Sequence, residues 1–249
     1  MNRLTKAEWF RLRHTGHLTW YVYLIGAAFL FMPYILCMDR IDQPLDILLP
    51  SIATLVIMMY NFIPAGIAGI SGQLYNKGKI GYYEVMAGNS PHSIIMSKVC
   101  SDGVFFSVIG IISTLGFYIF MAIRNGLGNV DHPFIRLGLY SVVMIHMVLT
   151  SIMIMMTTKK PISGAVLAYV RFMIFDIAVF NVAMAVARHF ELFTIEENVM
   201  HMIVMNQMEM ALLAPINTML VLHIVLGAIF EFAFWYIIVY RGIKKKRFS

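Results

Sequence analysis

Charge is scarce in this chain: Lys, Arg, Asp and Glu make up 13% of its 249 residues, about half the share of an ordinary soluble domain. That shortage argues against a soluble enzyme, a disordered tail or an ordinary nucleic-acid binder. Cysteine is scarcer still, with only Cys37 and Cys100. Two thiols make no disulfide scaffold. The topology below sets them on opposite faces of a membrane, about 30 Å apart, whereas a bridge needs Cα atoms within about 7 Å. Both are read as small buried hydrophobes. Catalytic signatures are also missing. There is no G-x-x-x-x-G-K-[ST] phosphate loop; Gly88-Asn89-Ser90 is a turn. There is no H-E-x-x-H spacing, and His14 and His17 read as surface residues, so no metal is expected. There is no G-x-S-x-G elbow. No catalytic residue is expected.

What the chain does have is apolar surface: 60% hydrophobic residues with 21 Met, and a mean hydropathy of +0.77. A spanning helix needs about 20 mostly apolar residues. Six stretches meet this, at about 18–38, 47–72, 99–123, 135–158, 161–187 and 217–240. They fill most of the chain, so residues 1–249 are read as a single six-helix transmembrane domain. The fold class is all-α and integral to the membrane. The methionines, including Met153, Met155 and Met156, are read as core packing rather than a copper path.

Orientation follows from the sorting of Lys and Arg. With the N-terminus inside, fourteen of nineteen basic residues fall on inner segments, among them Arg3, Lys6, Arg11, Arg13, Lys98 and the 241–247 tail. Acids such as Asp42, Asp46, Asp131 and Glu209 fall outside. A multi-pass protein of the cell membrane with both termini cytoplasmic is therefore expected, and the net charge of +6 is no nucleic-acid footprint. The first thirteen residues spread their charges too widely for a cleavable signal peptide. They suit an interfacial elbow helix, although Glu8 interrupts the apolar arc of Leu4, Trp9 and Leu12. On the outer side, Thr194 and Glu197 form a capping box. Met200, Ile203, Val204, Met208, Ala211 and Leu212 then recur at helical spacing up to Pro215. This predicts an outer amphipathic helix, interfacial or partly re-entrant, before the last span.

The inner 73–98 segment is too rich for a passive connection. It breaks at Gly78, Gly81 and Gly88, carries the aromatic-acidic run Tyr82-Tyr83-Glu84, and restarts with Pro91 after a capping Asn89 or Ser90. It reads as a docking surface or as an interfacial belt helix. The pattern of Gly78, Pro91, Ser93 and Lys98 ahead of the third span resembles the membrane subunit of an ATP-binding-cassette type-2 exporter. That class includes lantibiotic- and bacteriocin-immunity and drug exporters. A Glu is common in the family where Gln73 stands, and an Arg near His92 and Ser93. The resemblance implies that 77–92 is a coupling helix, with Lys77, Gly78, Tyr82, Tyr83, Glu84, Pro91 and His92 meeting a separate ATPase present in two copies. ATP and Mg would be bound by that partner; none is expected in this chain. A second permease half, identical or homologous, would complete the path for an amphipathic, peptide-like or drug-like substrate.

Arg171, Asp176, His146, His223 and Glu231 lie inside predicted spans, where a charge costs at least about 2.5 kcal/mol. Each must face protein or water. On an α-helix Arg171 and Asp176 would stand about 140° apart, so a direct pair is expected to be strained, with Glu231 a partner for Arg171. Interhelical pairing and a substrate or gating role are both open for these groups. Two other readings are carried: a proton-coupled secondary transporter using Asp176 and Glu231, and a membrane sensor or scaffold that transports nothing.

Overall fold

A computed structural model describes residues 3–14, 42–50, 63–76, 84, 87–158, 160–190, 201 and 203–247. All regular structure among them is helical. Four helices are long and apolar enough to cross a membrane: Pro91–Ile112, Pro133–Thr157, Pro161–Val186 and Thr218–Lys245. They match the last four expected spans, and the chain is an all-helical membrane protein by that measure. The expected first span, 18–38, lies outside the described residues. The second, 47–72, is described at 47–50 and 63–72, both helical.

In chain order the elements are α1 (Arg3–His14), α2 (Ile63–Asn76), α3 (Pro91–Lys98), α4 (Val104–Asn125), α5 (Pro133–Thr157), α6 (Pro161–Tyr169), α7 (Asp176–His189), α8 (Val204–Leu213) and α9 (Thr218–Arg247). Two of the junctions are π-turns rather than breaks. Val99–Gly103 joins α3 to α4, and Val170–Phe175 joins α6 to α7. Local chemistry sets the starts. Ser90 caps α3, its hydroxyl accepting from the Ser93 amide at 3.1 Å, with Pro91 in the first turn; Pro there forfeits no helical bond. The third span thus begins at Pro91, several residues before the expected 99. His132 sits in the left-handed region (φ 46°) before Pro133, which disfavours the right-handed helical conformation for the residue ahead of it.

Helix α5 runs through the middle of the bundle and packs on α2, α6, α8 and α9. Its buried side chains divide between two apolar clusters. One holds Leu139 to Met147 with Leu45, Tyr118, Phe172, Met208 and Ile224. The other holds Val148 to Met156 with Leu12, Ile67, Ile94, Ala168 and Val239. Met153, Met155 and Met156 are buried there, filling irregular gaps as flexible side chains do. Small residues let α2 approach α6: a methyl built on Gly69 would lie 3.6 Å from the Ala165 methyl, the close contact that membrane helices use in place of a hydrophobic drive.

The loop after α4 is tied to residues 45 and 46. Gly126 and Gly128 take positive φ, and the Asp46 carboxylate accepts from the Asn129 amide at 3.0 Å. The Leu45 amide donates to the Gly126 carbonyl at 3.2 Å. Helix α8 lies against α5 with Val204, Met208, Ala211 and Leu212 buried, so the predicted face packs on protein. The Thr194–Glu197 box lies outside the described residues. Arg136 is buried and donates to the Ala214 carbonyl at 2.9 Å and the Ala211 carbonyl at 3.4 Å. It also meets Asp131. Cys100, expected to be buried, is exposed.

Candidate functional site

Two buried charge clusters stand out, each built around a π-turn. The first lies where the two apolar clusters meet. At the Val170–Phe175 turn the backbone bonds i to i+5, so residues five apart stack one above the other. Arg171 and Asp176 therefore pair directly. The strain expected of that pair on a regular α-helix is removed by the wider turn. The Arg171 guanidinium also grips Glu231 of α9 with two parallel bonds, Nε to Oε1 and Nη2 to Oε2, each 2.6 Å. This is the bidentate geometry in which Arg–carboxylate pairs are strongest. His146 Nε2 on α5 lies 3.0 Å from Glu231 Oε2, and the Trp235 indole donates to Oε1 at 3.2 Å. The guanidinium carbon stands 5.3 and 5.2 Å from the ring centres of Phe172 and Phe175.

Four of the five intramembrane residues singled out from the sequence are thus one cluster. The fifth, His223, is two turns away on α9, about 12 Å along its axis. Its ring lies 5.5 Å from that of His201 instead. Beside the cluster a cavity of about 550 Å³ opens on the flank of the bundle, lined by Arg171, Glu231, Phe175, Phe230, Phe234 and Trp235 among others. Phe175, Phe230 and Phe234 are more than half exposed there.

The second cluster lies at the end of the bundle that holds α1. Lys98 is fully buried, and its ammonium sits 2.6 Å from Glu8. Arg11 bridges Glu8 at 2.5 Å and Asp102 at 3.5 Å. The Val99–Gly103 π-turn aims Asp102 inward, where it accepts from Ser71 of α2 at 2.5 Å and from Ser101 at 3.2 Å. Glu84 is buried against the same group. Burial, then the neighbouring Glu8, pushes its carboxyl up to about 8, against the pull of Lys98. Burial opposes ionisation of Glu8 too, but Lys98 and Arg11 outweigh it and hold this acid below its ordinary range. One carboxyl is therefore neutral and the other charged at pH 7.

Of the residues assigned to a partner surface, Glu84 faces inward and Pro91 is buried. His92 is exposed, with its Nδ1 2.7 Å from the Tyr236 hydroxyl of α9. Lys77, Gly78, Tyr82 and Tyr83 lie outside the described residues. Sequence reasoning passed over Glu8, Lys98 and Asp102 as cluster members. The signal was present at Glu8, whose break in the apolar arc is the contact with Lys98.

No family model, no curated protein and no solved structure matches this chain. The chemistry therefore rests on the geometry alone. No group of three metal-ligating side chains occurs among the described residues. What they offer is charge held in two places along the bundle, one open sideways and one tied to the segment before α3.

Proposed function

We propose that this chain is the permease subunit of an ATP-driven exporter, one six-helix half of a translocation path. In this reading the segment around 77–92 meets a separate ATPase, and the termini are cytoplasmic. The observation that best supports it is the Glu8–Lys98–Asp102 cluster with Glu84 against it. That cluster joins α1, α2, the 84 position and the start of the third span through buried charges. A push on the segment before α3 would be passed to three helices at once, because separating buried ion pairs costs several kcal/mol. The Arg171–Glu231 cluster would then line the path midway along the bundle.

The test is purification from the native membrane in mild detergent. A companion chain that carries a phosphate loop and hydrolyses ATP, in equal number, is expected. Charge-neutral replacement of Tyr82, Tyr83 and Glu84 together would uncouple hydrolysis from transport. Unchanged coupling would remove the docking assignment. One observation favours a second reading, proton-coupled transport: His146 is in hydrogen-bond contact with Glu231, which itself holds Arg171 and, through it, Asp176. Transport that persists without ATP but collapses with the proton gradient would select it.

A further inference from the structure

Helix α1 sorts its residues by face. Arg3, Lys6, Ala7, Phe10, Arg13 and His14 fall in one arc about 120° wide, and these are its exposed positions. Thr5, Glu8 and Leu12, on the other side, are buried. Glu8 is the only acid of the helix, and it is turned inward to Lys98 at 2.6 Å. The exposed arc therefore carries Arg3, Lys6 and Arg13 and no acid; Lys and Arg at such positions are cations at neutral pH. Phe10 stands in the middle of this arc, 63% exposed. Its ring stacks on that of His14 with centres 3.9 Å apart, and His14 Nδ1 lies 2.8 Å from the Phe10 carbonyl, so the two rings are held as a pair. An aromatic ring among cations suits a membrane boundary, where the ring enters the acyl region and the cations meet headgroups.

The same face borders a cavity of about 830 Å³ lined by Trp9, Phe10, Leu12, Arg13, His14 and Phe105. Phe105 of α4 meets Trp9 edge to face there, with ring centres 6.5 Å apart. The height of the cavity follows from α4. Phe105 and Arg124 are about 30 Å of rise apart on that helix, the thickness of a hydrocarbon core. With Arg124 and its partner Asp42 at one boundary, Phe105 falls at the other. The cavity thus sets a guanidinium and an imidazole beside an apolar, aromatic wall where headgroups give way to acyl chains. An acidic protein surface would answer the cations but leave Phe10 and the apolar wall uncovered.

We infer that α1 and this cavity hold an anionic phospholipid, its phosphate against Arg13 and the upper part of its acyl chains against Trp9, Phe10 and Phe105. Lys6 and Arg3 extend the field along the helix. Charge selects this lipid over a zwitterionic one, because each Lys or Arg near the membrane surface favours an anionic headgroup about fivefold. The inference stands on the membrane character of the chain and needs no ATPase partner.

The test places the full chain in phosphatidylcholine vesicles at about 0.1 M salt. Trp fluorescence is quenched with rising fractions of dibrominated phosphatidylglycerol or dibrominated phosphatidylcholine, and the difference from Trp9→Phe isolates Trp9. Quenching of Trp9 by the glycerol lipid should saturate at a mole fraction at least about tenfold below that for the choline lipid. Arg13→Gln should weaken this preference about fivefold, and Arg3→Gln, Lys6→Gln and Arg13→Gln together should bring it within about twofold of none. As a control, Lys244→Gln with Lys245→Gln, on the exposed end of α9, should change it by less than about twofold. Equal quenching by the two lipids, or a loss in the α9 control as large as in the α1 triple variant, overturns the inference. So does displacement of the lipid by glycerol 3-phosphate, which would make the ligand a free phosphate. An unchanged preference in the triple variant, with a companion chain lost on purification, would make α1 a protein-docking face and overturn it too. If the triple variant fails to insert, Arg13→Gln against the α9 control decides.

Discussion

Replacing Glu231 by Gln removes a group that ties α5, α9 and the π-turn together, and its cost can be worked from the contacts. Glu231 accepts from Arg171 twice at 2.6 Å, and Trp235 and His146 lie at 3.2 and 3.0 Å. Breaking a buried pair by deleting one partner costs about 3–5 kcal/mol. Arg171 keeps Asp176 and the amide keeps one acceptor oxygen, so the lower end, about 3 kcal/mol, applies. Arg171→Gln should cost less, about 2 kcal/mol, because the two acids it abandons can take up a proton. With both changed, no unpaired guanidinium is left to charge against either single change. The double variant should therefore be only slightly worse than Glu231→Gln, giving a coupling of about 2 kcal/mol. That exceeds the mean of about 0.6 kcal/mol for neutral hydrogen bonds between membrane helices, because this pair is charged and bidentate. The assay is reversible unfolding by SDS in mixed micelles, followed by Trp fluorescence, for all four proteins. The exposed Arg124–Asp42 bridge at 3.3 Å serves as a control, with a coupling of about 0.5 kcal/mol or less. Additivity of the Arg171 and Glu231 changes within about 0.5 kcal/mol would refute the reasoning.

Glu84 sets a pH dependence. Its carboxyl is raised from 4.5 to about 8, so between those values the folded chain keeps a proton that the unfolded chain has lost. Stability should fall with rising pH across that window and level off above it. The groups facing it are Glu8 and Arg11 of α1 and Lys98 of α3, of which Glu8 is already ionised there. Thermal midpoints in detergent from pH 5 to 9 should show the decline, and Glu84→Gln should flatten it; a midpoint that rises with pH contradicts the assignment. At the glycines, Gly69→Ala should be neutral, since its methyl meets only Ala165 at 3.6 Å. Gly164→Val should destabilise by about 1–3 kcal/mol, since even a methyl there meets Thr158 Oγ1 at 3.0 Å and the Met155 backbone at 3.4 Å. Equal thermal midpoints for the two would count against the α5–α6 packing. Arg136→Met removes both donations to the Ala211 and Ala214 carbonyls, at about 1.5 kcal/mol or more each. It should make the 188–216 segment markedly more sensitive to limited proteolysis, and an unchanged cleavage rate would show that Arg136 does not hold α8.

The parts of this fold that were legible are those governed by periodicity and caps. Ser90 and Pro91 start α3 where the sequence places a cap and a first-turn proline. The buried side of α8 is the set Val204, Met208, Ala211 and Leu212 that recurs at helical spacing. Apolar length located the last four spans. The rest was hidden because two assumptions fail locally. A period of 100° per residue sets Arg171 and Asp176 on different faces, and nothing in hydropathy signals the widened turn that brings them together. Lys98 counts as a cytoplasmic charge by the sorting of basic residues, yet it is fully buried because Glu8 approaches it from α1, more than eighty residues away in the chain. Long-range pairing of this kind leaves only a weak trace in one sequence, an acid sitting in an apolar arc.

The two π-turns have a common physical logic. A π-turn costs helical hydrogen-bond quality and is kept mostly where it re-aims a side chain that matters. Here Val99–Gly103 turns Asp102 toward Arg11 and Ser71, and Val170–Phe175 stacks Arg171 over Asp176. One stretch of α9 reaches both the start of α3 and the cluster around Arg171. Tyr236 meets His92 at the start of α3, and its neighbour Trp235 meets Glu231. A displacement of the α3 start therefore reaches the midway cluster through adjacent residues of a single helix, with no intervening loop to absorb it. A packed helix moves as a unit or changes register rather than deforming continuously.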